Sequence, residues 1–178
     1  MLTGTIKLPL PVNERDHMTG LKNAPITVVT YGDYLSFNSH LSHRAFEEKV
    51  DGLLKQVRFV YRHFPLVKVH PQSLRASEAA EAAAAQGKFW EMHRLLYSRF
   101  TKLSDPELRH LARKIGLDIR RYDSEMESRT YQDQILKGYY TSIVNGISGA
   151  PTTFINDVLC PMSREELLGQ IKTLVSAS

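Results

Sequence analysis

Two runs of β-branched and aromatic residues lie in the first third of the chain, on either side of a stretch with helical spacing. The first run covers residues 26–31 between Pro25 and Gly32, and the second covers residues 57–63. Both runs predict buried strands. Apolar positions in the intervening residues 39–55 recur at helical spacing. Strand, helix and strand in this order predict a βαβ unit with two parallel strands.

The middle of the chain has the apolar spacing of helices. Helices are predicted over 71–86, 89–100, 104–116 and from Asp118 to about Val144. Gly87 is typical of the residue that follows a helix, and Ser104 begins a capping box with proline in the first turn. Four consecutive helices without an intervening strand predict a helical insertion in an α/β fold.

The last part of the chain returns to a sheet. A glycine-rich turn over 145–151 leads to a predicted strand at 152–156, with a possible hairpin partner at 156–160 and a terminal helix over 163–175. Residues 1–25 are predicted to be an irregular arm with one short strand at 4–8. We therefore divide the chain into an arm, 1–25, and an α/β domain, 26–178, whose all-helical insertion covers about 71–144.

Composition sets limits on the classes of function. The 178 residues are 42% apolar and 24% charged, which suits one globular domain. The single cysteine, Cys160, excludes an intrachain disulfide and a cysteine-based zinc cluster. The net charge of +4 is spread along the chain, so nucleic-acid binding is not expected. No apolar run reaches about 18 residues, and the first residues lack the apolar core of a secretory signal. These features predict a cytoplasmic protein without a membrane span.

Several motifs together resemble one known family. In chain order they are Asn23-Ala24-Pro25, Tyr31-Gly32-Asp33-Tyr34, Val57 to Leu66, Gln86-Gly87-Lys88-Phe89-Trp90 and Gly149-Ala150-Pro151-Thr152-Thr153. The chain resembles DsbA-like thioredoxin-fold proteins of the disulfide oxidoreductase branch. It is similar to domains fused to sodium/proton antiporters of the NhaA type. The resemblance implies a thioredoxin fold with an all-helical insertion between the second and third core strands.

The chain departs from this family at the redox motif. Where the family has Cys-Pro-x-Cys, this sequence has Ser36, Phe37, Asn38 and Ser39. Disulfide exchange needs a thiolate as nucleophile and leaving group. Because a serine hydroxyl cannot form a disulfide, the motif predicts a protein without dithiol activity. The missing proline favours natural divergence, and a Cys-to-Ser form of an active oxidoreductase stays an alternative.

The rest of the family's site implies a binding function. By resemblance the Ala150-Pro151 bond is cis and faces Ser36, and the backbone before it pairs with an extended peptide. We expect a peptide or protein partner on a face formed by Ser36, Phe37, Asn38, Ser39, Ala150, Pro151 and Thr152, with no cofactor. The simpler interpretations are that Pro151 only shapes a turn and that Ser36 only caps a helix.

A second function class keeps Ser36 as a chemical group. Kappa-class glutathione transferases share the DsbA-like fold and have a serine at the position of the first cysteine. There the hydroxyl donates a hydrogen bond to the glutathione thiolate, which the helix N-terminus also stabilises. Glutathione-dependent transfer by Ser36 is therefore the enzymatic alternative.

Histidines near the motif raise the question of a metal. His40 and His43 lie three residues apart, and with His63 or His70 they could approach an ion. Packing or exposed histidines are the favoured interpretation, so no metal is predicted. A serine, histidine and aspartate triad that includes Ser36 is conceivable, but no spacing indicates it.

Four further residues are expected to be structural. Asp33 is expected to be partly buried beside the motif. Trp90 and His93 lie on an apolar helix face and are predicted to be core residues. Cys160 is expected to be a packed thiol away from the motif.

Overall fold

The computed structural model describes residues 6–50, 56–160, 169, 171 and 173–175. The elements in this part of the chain are β1 His17–Thr19, β2 Ile26–Gly32, α1 Phe37–Val50, β3 Val57–His63, α2 Ser73–Ala84, α3 Phe89–Ser98, α4 Asp105–Lys114, α5 Ile119–Glu127, α6 Gln132–Val144, β4 Thr152–Ile155 and β5 Val158–Cys160. The predicted βαβ unit is confirmed as β2, α1 and β3.

The strands form one mixed sheet in the order β1-β3-β2-β4-β5. β2 and β3 are parallel, as predicted, while β1, β4 and β5 each pair antiparallel with their neighbours. The predicted hairpin partner is β5, which follows β4 through Asn156 and Asp157. Both residues have positive φ, 45° and 65°, as expected for a two-residue hairpin turn. The fold class is α/β, with a thioredoxin-like sheet.

The sheet separates two apolar clusters because successive side chains of a strand point to opposite faces. Val28 and Phe59 belong to the larger cluster, together with buried residues of α1 to α5. Val29 and Val60 belong to the smaller cluster on the other face, which Tyr139 of α6 helps to cover. The helical insertion therefore supplies cover for both faces.

The insertion contains one more helix than the sequence predicts. The single helix expected from Asp118 to Val144 is wrong: α5 ends at Glu127 and α6 begins at Gln132. Arg129 between them has a positive φ of 54°, so the backbone changes direction without the usual glycine. Asp118 does cap α5, since its side chain accepts a hydrogen bond from the backbone N–H of Arg121 at 3.1 Å.

The arm is more ordered than the sequence predicts. β1 lies within it and pairs with the edge of β3, and Lys7 forms an isolated bridge with Val158. Arg62 on β3 anchors the arm through a double hydrogen bond to the Asp16 carboxylate, at 2.7 and 2.8 Å, and a bond to the Leu10 carbonyl at 2.8 Å. The division into arm and domain stays a prediction.

Three predicted features fall partly outside the described residues. These are residues 4 and 5 of the first short strand, the end of the helix at 51–55 and most of the terminal helix over 163–175. Ile171, which is described, is buried in the larger apolar cluster.

Candidate functional site

The serine motif begins α1 a few residues after the end of β2: Ser36 precedes the helix, and Phe37, Asn38 and Ser39 are its first residues. The Ser36 side chain accepts a hydrogen bond from the backbone N–H of Ser39 at 3.3 Å, which is the capping role that the sequence allows. The Ser39 hydroxyl accepts a hydrogen bond from the backbone N–H of Asp33 at 3.3 Å. Both serines are buried, whereas Asn38 is exposed and Phe37 is 59% exposed. The hydroxyls therefore face the protein and the aromatic ring faces solvent.

A group of buried aromatic side chains lies behind Ser39. The hydroxyls of Tyr97 and Tyr61 are 3.0 Å apart, and the Tyr34 hydroxyl lies 3.0 Å from Nδ1 of His93. Burial raises the pKa of Tyr97 well above its ordinary value, and burial lowers the pKa of His93. These groups are consequently neutral near neutral pH and cannot carry a charge to the serines.

Two predicted core residues belong to this region. His93 is fully buried, as predicted. Trp90 is half-buried, packs against the same cluster and donates a hydrogen bond from its ring nitrogen to the Met18 carbonyl at 3.0 Å. Cys160 is half-buried on β5 and packs against the larger cluster.

Asp33 is completely buried rather than partly buried. One carboxylate oxygen accepts hydrogen bonds from the Leu35 N–H at 2.9 Å and from the Ser73 hydroxyl. The other accepts from the Leu66 N–H at 3.1 Å and lies 2.8 Å from Nδ1 of His70. Asp33 thus joins the start of α1, the loop after β3 and the start of α2, which is a structural role.

The Ala150-Pro151 peptide bond is cis. Pro151 precedes β4, and Thr152 pairs with Tyr31 near the end of β2. Because β4 runs antiparallel to β2, the turn at Pro151 and the serine motif lie at the same edge of the sheet. Ala150, Pro151 and Thr152 are all partly exposed.

The histidines considered as metal ligands have separate partners. Nδ1 of His40 lies 2.9 Å from the Tyr97 carbonyl, and Nε2 of His43 lies 3.3 Å from a carboxylate oxygen of Glu47 on the same helix. His70 binds Asp33, as described above. His63 lies in a different cluster, with His17 and Glu81. The structure therefore does not bring His40, His43, His63 and His70 together at one site.

That cluster consists of His17 on β1, His63 at the end of β3 and Glu81 on α2. Nε2 of His17 and Nε2 of His63 lie 2.7 and 2.8 Å from the same Oε1 atom of Glu81. Burial alone would raise the pKa of Glu81, but the hydrogen bonds from His17 and His63 outweigh it and hold that pKa well below its ordinary value of 4.5. The cluster borders a cleft of about 860 Å³ between the arm, β3, α2 and α6.

Sequence reasoning missed His17 and Glu81. The two residues are 64 positions apart, and His63 is 18 positions from Glu81. These separations match no short motif, since the contacts depend on how β1 and α2 pack beside β3. The available sequence signal was a pair of glutamates, Glu78 and Glu81, among the alanines of α2, because a carboxylate on an apolar helix face is rarely buried without a partner.

Comparisons with known proteins agree on the family. The model of the DSBA-like thioredoxin domain family matches residues 27–171. A curated relative, the Na⁺/H⁺ antiporter NhaA 3 of Salinispora tropica, is 39% identical over 155 residues, which cover 86% of this chain and 24% of the relative. The chain thus spans about a quarter of the length of the curated relatives it matches. None of the helices in the described part of the chain has the length and apolar character needed to cross a bilayer.

Solved structures show the same fold. The thiol-disulfide exchange protein alpha-DsbA2 from Wolbachia pipientis superposes with a TM-score of 0.77 at 19% identity, covering 91% of this chain and 88% of that one. A thioredoxin-like oxidoreductase from Silicibacter pomeroyi DSS-3 has a TM-score of 0.70 at 26% identity, covering 93% and 95%. With the matched residues and the thioredoxin-like sheet, these findings show that the chain belongs to the DsbA-like thioredoxin domain family.

Proposed function

We propose that this chain is a redox-silent DsbA-like module that binds an extended peptide or a protein segment. The observation that carries the proposal is the orientation of the serine motif. Ser36 and Ser39 are buried and hydrogen-bonded within the fold, whereas Phe37 between them is 59% exposed. The motif therefore offers a partner an aromatic contact rather than a nucleophile.

The absence of exchange chemistry follows from the side chains of the motif. Disulfide exchange passes through a mixed disulfide, which needs a sulfur at the attacking position. Oxygen occupies both positions here, and Ser36 is already used as the cap of α1. Cys160 lies on β5, away from the start of α1 in the chain and opposite Thr153 in the sheet.

Exposed apolar residues support a binding face at this end of the sheet. Phe37 follows β2 and Val69 follows β3, and these two strands end on the same side because they are parallel. Their exposed fractions are 59 and 69%, and Val144, which ends α6 before the turn to Pro151, is 81% exposed. Exposed apolar surface is typical of interaction sites. Peptide recognition combines backbone pairing with side-chain contacts, and Ala150 and Thr152 are partly exposed.

The relatives give the proposal a context. In proteins named as antiporters, a region like this chain occupies about a quarter of the length, so a module that recognises a protein segment suits an attached position. A cytoplasmic location stays a prediction, and cell fractionation tests it.

The binding proposal is tested by selection from a displayed library of linear peptides on the immobilised chain. Titration of a selected peptide against Phe37→Asp should show at least a tenfold loss of affinity. Leu21→Asp is the matched control, because Leu21 is 55% exposed but lies in the loop before β2, at the other end of that strand. If no peptide is selected, or if both variants bind equally well, the proposal is wrong.

A parallel assay separates the other two function classes. The native chain should not accelerate reduction of a peptide disulfide, while Ser36→Cys with Ser39→Cys tests whether the scaffold supports exchange. Calorimetric titration with reduced glutathione, with Ser36→Ala as control, tests the transferase alternative. Saturable glutathione binding that Ser36→Ala abolishes would replace the binding-module proposal with the transferase.

A further inference from the structure

The cluster of His17, His63 and Glu81 has the composition of a metal site. Its three ligand atoms, two imidazole nitrogens and one carboxylate oxygen, all lie within 4.8 Å of one another. Two imidazole nitrogens and one carboxylate oxygen are the donor set of a common class of zinc sites with three protein ligands. Neutral imidazole favours zinc and similar transition metals over calcium or magnesium.

The geometry needs little change to accept an ion. Tetrahedral Zn²⁺ with ordinary bond lengths places its ligand atoms about 3.3 Å apart. The Nε2 atoms of both histidines already lie within 2.8 Å of one Glu81 oxygen, so a small outward movement of the carboxylate makes room. On metal binding each imidazole coordinates through Nε2 as the neutral tautomer that carries its one N–H proton on Nδ1.

The rings are held in place by packing. His17 stacks on Phe89 with a centroid distance of 3.5 Å and an interplanar angle of 7°, and His63 makes an edge contact with Tyr61 at 5.5 Å. The side chains of His63 and Glu81 are 8% and 9% exposed. Fixed orientation and burial lower the entropy cost of assembling the ligands.

One side of the cluster is open. The cleft of about 860 Å³ beside it is lined by the three ligands and by polar residues of the arm and α6, among them Asn13, Arg15, Gln134, Lys137 and Thr141. Zinc sites with three protein ligands keep the fourth position for water or a substrate. Arg15 and Lys137 make the cleft favourable for an anion at that position.

From these observations we propose that His17, His63 and Glu81 bind one Zn²⁺ ion at the border of this cleft, with a fourth position open to water or a small anion. The three ligands come from β1, β3 and α2 and include no residue of the serine motif. The proposal is independent of peptide binding, since neither Phe37 nor Pro151 takes part in it.

The test uses the full chain without a histidine tag, freed of metal by a chelator and titrated with Zn²⁺ against a chromogenic competitor. One ion per chain should bind, and His17→Ala, His63→Ala and Glu81→Gln should each weaken binding by at least about 100-fold, since loss of outer contacts alone costs 10–100-fold. His110→Ala is the matched control, because His110 is an exposed histidine on α4, and it should bind as the native chain does.

A second readout keeps the test valid if a variant folds poorly. His17 lies on a short edge strand and is 20% exposed, so His17→Ala should fold, which circular dichroism checks. Zn²⁺ should raise the melting temperature of the native chain and of His110→Ala, but not of His17→Ala. Bound Co²⁺ should give the visible spectrum of a four-coordinate site. Absence of stoichiometric Zn²⁺ binding, or equal affinity in native chain and His17→Ala, would overturn the proposal.

Discussion

The serine motif and the cluster of His17, His63 and Glu81 both contain side chains that can bind or react with ligands. The two sites differ in the hydrogen-bond partners that the fold gives to those side chains. At the motif, the oxygens of Ser36 and Ser39 accept hydrogen bonds from backbone N–H groups of the fold. At the cluster, the Nε2 atoms of His17 and His63 meet one carboxylate oxygen of Glu81 beside an open cleft. The polar atoms of the motif are used by the fold, whereas the cluster, which no short motif marks, borders an open cleft.

The comparison shows that residue type alone does not decide whether a polar side chain can act on a ligand. The hydrogen-bond partners that the fold already gives to each polar atom decide it as well. Ser36 occupies the position of the family's first cysteine at the start of α1, and it caps that helix. It lacks the thiol that the family's chemistry needs. Glu81 has the opposite character, since its buried carboxylate faces two imidazoles and borders a cleft. Four substitutions test this contrast, in order of their expected effects on stability.

The largest effect is expected at Asp33. Asp33→Ala leaves the N–H groups of Leu35 and Leu66 and the Ser73 hydroxyl without their acceptor. The free energy of unfolding should fall by about 3 kcal/mol or more, because buried donors lose their partners. Urea unfolding measures it, with Asp133→Ala on an exposed position of α6 as control. A loss below about 1 kcal/mol would show that the hydrogen bonds of Asp33 to α1, α2 and the loop after β3 are not important for stability.

The next effect depends on pH. The pKa of Glu81 is lowered in the folded chain, so its contribution to stability is complete above the ordinary value of 4.5 and is lost as the pH falls below it. Glu81→Gln should therefore lower the free energy of unfolding by about 2 kcal/mol at neutral pH and flatten its decline in acid. Metal-free protein unfolded in urea at several pH values gives both quantities. Parallel curves for the variant and the native chain would contradict the assignment.

A smaller effect is expected at the cap of α1. Ser36→Ala removes the acceptor of the Ser39 N–H, and loss of an N-cap costs about 1 kcal/mol. Thermal and urea unfolding measure it, with the exposed neighbour Asn38→Ala as control. An unchanged stability would mean that the Ser36 hydroxyl is not committed to the helix, which would strengthen the glutathione alternative.

The smallest effect on stability is expected at Phe37. Its ring is 59% exposed, and its centroid lies 6.0 Å from the centroid of the Phe100 ring. Phe37→Ala should change the free energy of unfolding by less than about 0.5 kcal/mol, although the ring is central to the proposed binding face. A loss above about 1 kcal/mol would assign the ring to packing instead of recognition.

Local patterns were sufficient for most of the fold. The β-branched runs gave β2 and β3 because a central strand must be apolar on both faces, and Asp118 marked a helix start that the structure confirms. The break between α5 and α6 could not be found, because Arg129 takes its positive φ without glycine or proline as a signal. β1 was missed because three residues carry too little periodicity, and its pairing with β3 decides its structure.

Some residues of the candidate site could be located from the sequence, and others could not. The serine motif and Pro151 were located by resemblance, since they lie beside recognisable strands. The burial of Asp33 and the meeting of His17 with Glu81 depend on contacts between distant parts of the chain, 33 to 64 positions apart. No spacing rule covers such contacts, because they arise from the packing of the insertion against the sheet.

The anchoring of the arm by Arg62 also has a consequence for the order of assembly during synthesis. Residues 10–17 leave the ribosome before their partners on β3, and Glu81 emerges later still. The hydrogen bonds between the arm and Arg62 therefore cannot form until β3 has been made. The cluster of His17, His63 and Glu81 cannot close until α2 has followed.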